Sequence, residues 1–247
     1  MTAATSFRWE SASRSEVGNV RKLNEDAFLD LSARGLWVVA DGMGGHDAGD
    51  VASRMVTDRL RGVESHDDFS GFVNDVEDRV LDANQRLYSM ASQADGDKII
   101  GCTLAALLAS GRHCLSVWAG DSRVYRLRDG QLEQLTRDHS EVEELLERGE
   151  LSPESAGNHA AQNIVTRAVG GAERLFLDYA VDEIRDGDRF LICTDGLYKE
   201  LSPEDLTERL KTPTCVAACD ALLETALERD CGDNVTAIVV DFREAKE

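Results

Sequence analysis

Two long segments of the chain carry apolar residues on one side only, with the spacing of an α-helix. Between residues 48 and 60 the apolar positions recur at intervals of three and four, and residues 69–90 repeat this one-sided stripe. A third segment, 214–227, has a comparable apolar face, and Ser202-Pro203 is typical of a helix start. The pattern predicts helices that each pack one face against a core.

Short apolar or alternating runs predict β-strands in much of the remaining chain. They lie at residues 6–11, 27–31, 36–40, 103–109, 113–119, 125–127, 132–135, 176–181, 189–193 and 235–242. An Asp129-Gly130 pair between two of these runs predicts a hairpin turn.

The segment 138–171 follows neither period. Ser140 with Glu143 predicts a capping box, and Ser152-Pro153 predicts an N-cap followed by the first helical residue. We therefore expect short helices and loops outside the sheets. Along the whole chain, strands and helices come in blocks, which is typical of α+β proteins with mostly antiparallel sheets. The predicted fold is a β-sandwich of two such sheets flanked by helix pairs, a four-layer α-β-β-α arrangement.

Composition and charge narrow the class of protein. The 247 residues are 42% hydrophobic and 30% charged with only three prolines, so we expect a single domain over residues 1–247. The formal net charge of −20 disfavours nucleic acid and anionic membrane as partners, because both are negatively charged. The six cysteines include no Cys-x-x-Cys pair, so no zinc site is expected. A polar start and the lack of a long apolar run predict a cytoplasmic protein without membrane insertion.

Four aspartates stand beside glycine at the ends of predicted apolar strands. Asp41 and Asp195 each follow such a strand directly, Asp121 follows one after Gly120, and Asp233 comes shortly before the last strand. A buried carboxylate is costly unless it is paired or binds a cation. Hard divalent ions such as Mg²⁺ and Mn²⁺ favour carboxylate, carbonyl and water oxygens. If the four aspartates converge, they form a metal site.

A further acidic pair, Glu25-Asp26, lies just before a predicted strand, with Arg21 five positions before Asp26. In an extended backbone the two acids point to opposite sides, so one can face a metal while the other supports its waters. Arginine offers a planar fork to a phosphate. Turn chemistry is the simpler explanation of each single motif, and we expect Asp129-Gly130 and Asp186-Gly187 to be turns only.

In this order, the motifs resemble those of the metal-dependent protein phosphatases of type 2C, especially the compact bacterial enzymes. The matching positions are Arg21, Asn24-Glu25-Asp26, Asp41-Gly42-Met43-Gly44-Gly45-His46, Gly101-Cys102-Thr103, Gly120-Asp121-Ser122-Arg123, Thr194-Asp195-Gly196 and Gly232-Asp233-Asn234-Val235-Thr236. Each motif is weak alone, but the ordered set, from about residue 11 to residue 241, is specific. The resemblance implies a β-sandwich flanked by helix pairs, with a binuclear metal centre at one end.

The resemblance also implies a set of metal ligands. Asp41 bridges two Mn²⁺ or Mg²⁺ ions. Asp195 and Asp233 complete the protein ligands of one ion, and Glu25 with the Gly42 carbonyl those of the other.

Further roles follow from the same resemblance. Asp26 is not itself a metal ligand but orients metal-bound water, and Arg21 contacts the substrate phosphate. Asp121 together with Asp195 matches a third ion that bacterial members can bind. Residues 138–171 correspond to a mobile flap beside the active site.

The implied reaction is hydrolysis of phosphoserine and phosphothreonine by a water that two metal ions activate. The implied partners are phosphoprotein substrates of a bacterial serine/threonine kinase, and we expect a monomer. One position departs from animal members: Met43 stands where they carry a histidine proposed as general acid, and methionine cannot donate a proton. His46 lies close in sequence, but its ring can equally cap the following helix, so no role is assigned to it.

Three alternatives stay open from the sequence. An inactive phosphatase-like module would bind a phosphoprotein without turnover, although every expected ligand position holds an acid. A calcium-stabilised binding protein would need a D-x-[DN]-x-[DN]-G loop, and the sequence has none. A phosphatase of small phosphoesters would use the same metal site.

Overall fold

Eleven β-strands and seven α-helices lie in the residues that the computed structural model describes, namely 7–44, 48–66, 68–94, 99–157 and 159–245. The strands are β1 (Phe7–Glu16), β2 (Asp26–Leu31), β3 (Leu36–Gly44), β4 (Ile100–Cys102), β5 (Leu104–Ser110), β6 (His113–Ala119), β7 (Arg123–Arg128), β8 (Gln131–Gln134), β9 (Asp178–Glu183), β10 (Arg189–Cys193) and β11 (Val235–Glu244). The helices are α1 (Ala48–Arg61), α2 (Phe69–Gln93), α3 (Glu141–Glu147), α4 (Pro153–Ala156), α5 (Asp195–Tyr198), α6 (Pro203–Leu210) and α7 (Cys215–Glu228). The helices predicted from periodicity are confirmed as α1, α2 and α7.

The strands form two sheets. One has the order β1-β11-β10-β7-β8 and the other the order β2-β3-β5-β6-β9, with β4 pairing with the last residues of β3. Every strand pair is antiparallel. The predicted α+β class with mostly antiparallel sheets is confirmed.

Three hydrophobic layers hold the sheets and helices together. Helices α1 and α2 pack on one sheet and α5 to α7 on the other, each through a core of buried aliphatic side chains. Between the sheets, Phe242 makes edge-on contacts with Trp37 and Phe190, at ring-centroid distances of 6.0 and 5.4 Å. Such aromatic pairs each contribute about 0.5–1.5 kcal/mol beyond the area they bury. The order of layers is therefore helix, sheet, sheet, helix.

Several predicted strand boundaries differ from the observed ones. β1 continues to Glu16 because all ten of its residues pair with β11, although its second half alternates serine with small or charged residues. The strand predicted at 103–109 begins at Leu104, because Thr103 separates it from β4; β4 pairs with one part of β3 and β5 with another. β9 lies two residues later than predicted and ends on charged residues, since its register is set by pairing with β6.

Helix starts follow the predicted capping chemistry in part. The Ser140 hydroxyl accepts a hydrogen bond from the Glu143 N–H (3.3 Å), but the Glu143 carboxylate pairs with Arg137 instead of closing the box. At α6, Ser202 and Asp205 form a complete capping box. The six cysteines are all free and buried, and no helix in the described ranges is long and apolar enough to cross a membrane.

Candidate active site

A pocket of about 570 Å³ opens at one end of the sandwich. It lies where β6 and β10 end, β11 begins and β3 passes its last pairing with β2. The predicted site residues that line it are Arg21, Glu25, Asp41, Gly42, Asp121, Asp195 and Asp233. The eighth, Asp26, is buried next to them. The structure therefore brings all eight predicted positions to one end of the molecule.

Asp26 begins β2 opposite Asp41, and its carboxyl group reaches across to the other sheet. Its Oδ2 accepts hydrogen bonds from the hydroxyls of Thr236 (2.7 Å) and Thr194 (2.8 Å), while no described residue donates to Oδ1. Burial raises the pKa of Asp26 to about 7, the two threonines oppose this, and the charge of Asp195 raises the pKa further. A cation beside this group would favour its charged form.

Asp41 lies within β3 and not at the end of a strand, which corrects the predicted boundary at residue 40. The strand continues because β4 pairs with its last residues. The Asp41 N–H donates to Thr103 Oγ1 (3.0 Å) and its carbonyl accepts from the Thr103 N–H (2.8 Å). Thr103 Oγ1 in turn lies 2.6 Å from Ser122 Oγ. Burial and the nearby charge of Asp26 raise the pKa of Asp41 well above its usual value.

Gly42 allows three backbone segments to approach closely. A Cβ atom at this position would lie 2.1 Å from the Gly49 carbonyl oxygen and 2.6 Å from that of Glu25. The Gly42 N–H donates to the Glu25 carbonyl (3.1 Å). Asn234 Oδ1 accepts from the Glu25 N–H (2.8 Å). The Asn234 side-chain amide donates to the carbonyls of Val17 and Leu23, in the loop before β2. The backbone around Glu25 is thereby anchored to the start of β11.

Asp121 follows β6 after Gly120, whose φ of 111° strongly favours glycine. The Tyr198 hydroxyl donates to the Asp121 carbonyl (3.0 Å). Burial raises the pKa of Asp121 to about 7, the charge of Asp195 raises it further, and the ammonium of Lys199 lowers it. Asp121 is thus a further carboxyl group whose pKa burial raises and whose charged form a nearby cation favours.

Two basic side chains neutralise pocket carboxylates. Arg21 forms a two-pronged ion pair with Asp233, with Nη2–Oδ2 and Nε–Oδ1 distances of 3.0 and 2.9 Å. Lys199 Nζ lies 2.5 Å from Asp195 Oδ2. Arg123, by contrast, pairs with Asp138 (2.7 Å) rather than with its sequence neighbour Asp121.

The donor groups fit a hard divalent cation by their chemistry. The pocket offers carboxylate and carbonyl oxygens, which Mg²⁺ and Mn²⁺ prefer. Oδ1 atoms of Asp26 and Asp195 are buried and have no hydrogen-bond partner among the described residues. In the described ranges, no three His, Cys, Asp or Glu side chains are already close enough together to enclose an ion. The oxygen donors of the pocket nevertheless fit such a cation by their chemistry.

Several residues that build the site carried no role in the sequence prediction. Four of them lie within the matching motifs, namely Thr103, Thr194, Thr236 and Asn234. Their polar side chains next to buried strands could have indicated a role in the site. Lys199 had a weaker signal, since it stands four positions after Asp195. Met43 lines the pocket, whereas His46 lies outside the described residues.

The segment 138–171 is attached to the pocket at several points. His139 Nδ1 accepts from the Gly120 N–H (3.1 Å), which leaves Nε2 to donate to Asp178 (3.1 Å). Lys199 Nζ donates to Asn163 Oδ1 (2.7 Å). The bridge between Cys102 and Val169 fixes the other end of the segment. This segment therefore lies directly beside the candidate ligands.

This chain is similar in sequence to known protein phosphatases. A family model described as protein phosphatase 2C matches residues 19–229. The serine/threonine protein phosphatase PstP of Mycobacterium tuberculosis is 36% identical over 230 residues, covering 93% of this chain and 44% of PstP. This chain thus spans less than half the length of that relative.

Solved structures agree over nearly the whole chain. PppA, described as a key regulatory component of T6SS in Pseudomonas aeruginosa, superposes with a TM-score of 0.88 at 42% identity, covering 95% of this chain and 97% of PppA. The catalytic domain of PstP in complex with two manganese ions gives 0.86 at 34% identity, covering 96% and 100%. From the family match and these similarities, the chain belongs to the protein phosphatase 2C family.

Proposed function

We propose that this chain is a metal-dependent protein phosphatase that hydrolyses phosphoserine and phosphothreonine. The observation that carries the proposal is the convergence of acidic side chains on one pocket, with two buried carboxylate oxygens that have no partner among the described residues. The relatives add support, because they are named as serine/threonine phosphatases and one holds two manganese ions.

In the proposed assignment, Asp41 would help to hold both of two Mn²⁺ or Mg²⁺ ions. Asp195 and Asp233 would complete the ligands of one, and Glu25 with the Gly42 carbonyl those of the other. Two such ions supply Lewis acidity and lower the pKa of an attacking water. The protein contributes fixed positions: Thr103 holds the backbone of Asp41 and Asn234 holds that of Glu25.

Asp26 and Arg21 have separate proposed roles. Asp26, held by two threonine hydroxyls, orients the attacking water and accepts its hydrogen bond. Arg21 lies half-exposed at the pocket and presents its guanidinium fork to the phosphate, which replaces Asp233 as its partner. A metal ion that binds the Asp233 carboxylate would replace Arg21 as its partner and leave the guanidinium free for the phosphate.

The proposed substrates are phosphoproteins of a bacterial serine/threonine kinase. The net charge of −20 is compatible with such substrates, because the phosphate meets a local group of cations. We further propose a single catalytic domain with residues 138–171 as its flap, acting as a cytoplasmic monomer.

Hydrolysis of a phosphothreonine peptide by metal-stripped protein, with Mn²⁺ or Mg²⁺ added back, tests the proposal. We expect activity to appear with metal and to vanish in Asp233→Ala. The matched control is Asp220→Ala: both side chains are 43% exposed and both pair with an arginine, but Asp220 lies on α7 outside the pocket. The control should retain full activity.

The remaining outcomes separate the alternatives. Metal binding without turnover of any phosphoester indicates an inactive binding module. Turnover of an aryl phosphate but not of phosphopeptides indicates a phosphatase of small molecules. Activity that survives in Asp233→Ala contradicts the site.

A further inference from the structure

Lys199 is the first residue after α5, the short helix that begins at Asp195. Its N–H donates to the Asp195 carbonyl (3.0 Å), so the two residues stand one turn apart with their side chains on the same face. The ammonium lies 2.5 Å from Asp195 Oδ2 and 2.7 Å from Asn163 Oδ1. Lys199 therefore joins a candidate metal ligand to the 138–171 segment.

The two oxygens of Asp195 have different surroundings. Oδ2 accepts from Lys199, whereas Oδ1 is buried and, among the described residues, has no hydrogen-bond partner. Oδ1 is thus available to a metal ion while Oδ2 is already held by a positive charge.

Asp121 lies in the same pocket as Lys199. Tyr198, the residue before Lys199, donates its hydroxyl hydrogen to the Asp121 carbonyl (3.0 Å). Asp121 and Asp195 are the pair that the family resemblance matches to a third metal ion. A metal ion held by Asp121 and Asp195 would have to share Asp195 Oδ2 with the Lys199 ammonium. Two positive charges beside the same oxygen atom repel each other strongly.

We propose that the Lys199 ammonium occupies the position of the third metal ion. This protein then binds two divalent cations, and one of its own side chains supplies the positive charge at the third position. Through Asn163, the same ammonium holds the 138–171 segment against the pocket. This proposal rests on the proposed two-metal site, but it concerns Lys199 with its neighbours Asp121 and Asp195 and not Asp41.

Counting bound Mn²⁺ on the metal-stripped full chain, by equilibrium dialysis with elemental analysis, tests this directly. We expect two ions in the wild-type protein and three in Lys199→Ala, with the third lost again in the double variant Lys199→Ala/Asp121→Ala. The third ion should bind at least about tenfold more tightly in Lys199→Ala than in the wild type, since the competing charge is gone. Lys199→Arg keeps the charge and should return the count to two.

Lys211→Ala is the matched control, because Lys211 likewise follows the last residue of a helix but lies outside the pocket. Its count should stay at two. A wild-type protein with three ions, or a Lys199→Ala variant that stays at two, overturns the role of Lys199 and leaves the two-metal site intact. A wild-type protein that binds no Mn²⁺ overturns both proposals.

Discussion

Asp26 is a buried carboxyl group with one satisfied and one unsatisfied oxygen. Two threonine hydroxyls from the opposite sheet donate to Oδ2, and Oδ1 has no partner in the described part of the chain. Because burial raises its pKa to about 7, the folded protein binds a proton here that the unfolded chain releases near its ordinary pKa of about 3.9. Between these values, the free energy of unfolding falls as the pH rises.

Asp26→Asn should therefore stabilise the metal-free protein, and more so at higher pH. The asparagine keeps an oxygen that can accept from Thr194 and Thr236 but carries no charge. We expect its advantage in free energy of unfolding to be larger by roughly 2 kcal/mol at about pH 7.5 than at about pH 5.5. Urea unfolding in the presence of a chelator measures this. An advantage that is equal at both pH values would show that the raised pKa of Asp26 is not what destabilises the metal-free fold.

At the scale of elements, the site depends on the junction of β2, β3, β4 and α1. β3 changes partner along its length, pairing with β5 first and with β4 beyond Asp41. Gly42 lies where β3 changes from one partner to the other. A Cβ atom at this position would clash with the backbones of Glu25 and Gly49. The absence of a side chain at Gly42 is therefore a condition for the close approach of strand and helix.

Gly42→Ala should destabilise the protein by several kcal/mol and reduce metal affinity, because backbone atoms at 2.1 and 2.6 Å from the new Cβ have to move. Gly157→Ala is the control: its Cβ meets no described atom within 4 Å and its φ of −68° suits alanine. That control should be neutral or up to about 1 kcal/mol more stable. Thermal unfolding of the two variants side by side checks this, and similar losses in both would contradict the close-approach argument.

At the scale of the whole molecule, negative charge is concentrated where the pocket opens. The chain carries a net charge of −20, and six acidic side chains line one pocket with only Arg21 and Lys199 against them among the described lining residues. Their mutual repulsion opposes folding unless a cation is bound. Metal binding and folding stability are therefore coupled in this protein.

Adding Mn²⁺ to the metal-stripped protein should raise its melting temperature. For one site at a hundredfold excess over Kd the stabilisation is about 2.7 kcal/mol, which corresponds to roughly 5–10 °C for a chain of this size. Asp233→Ala should lose most of the shift and Asp220→Ala should keep it. Sodium chloride at equal ionic strength is the control for general screening, and an equal shift with the sodium salt would contradict specific binding.

The amino-acid sequence by itself determined the layers of the fold and the members of the site. Periodicity within contiguous residues located α1, α2, α7 and most strands, since side-chain burial on one face repeats locally. The family motifs likewise named Glu25, Asp41, Asp195 and Asp233, which the structure brings to one pocket.

The tertiary structure alone decided which groups surround those acids. Thr194 and Thr236 reach Asp26 from 168 and 210 positions away in the chain. The full length of β1 and the continuation of β3 beyond Asp41 depend equally on their partners β11 and β4. These contacts cannot be predicted from a local sequence pattern, because strand pairing brings together side chains that are far apart in the chain. The contact of Lys199 with Asn163, 36 positions away, follows for the same reason, whereas its pairing with Asp195 is local.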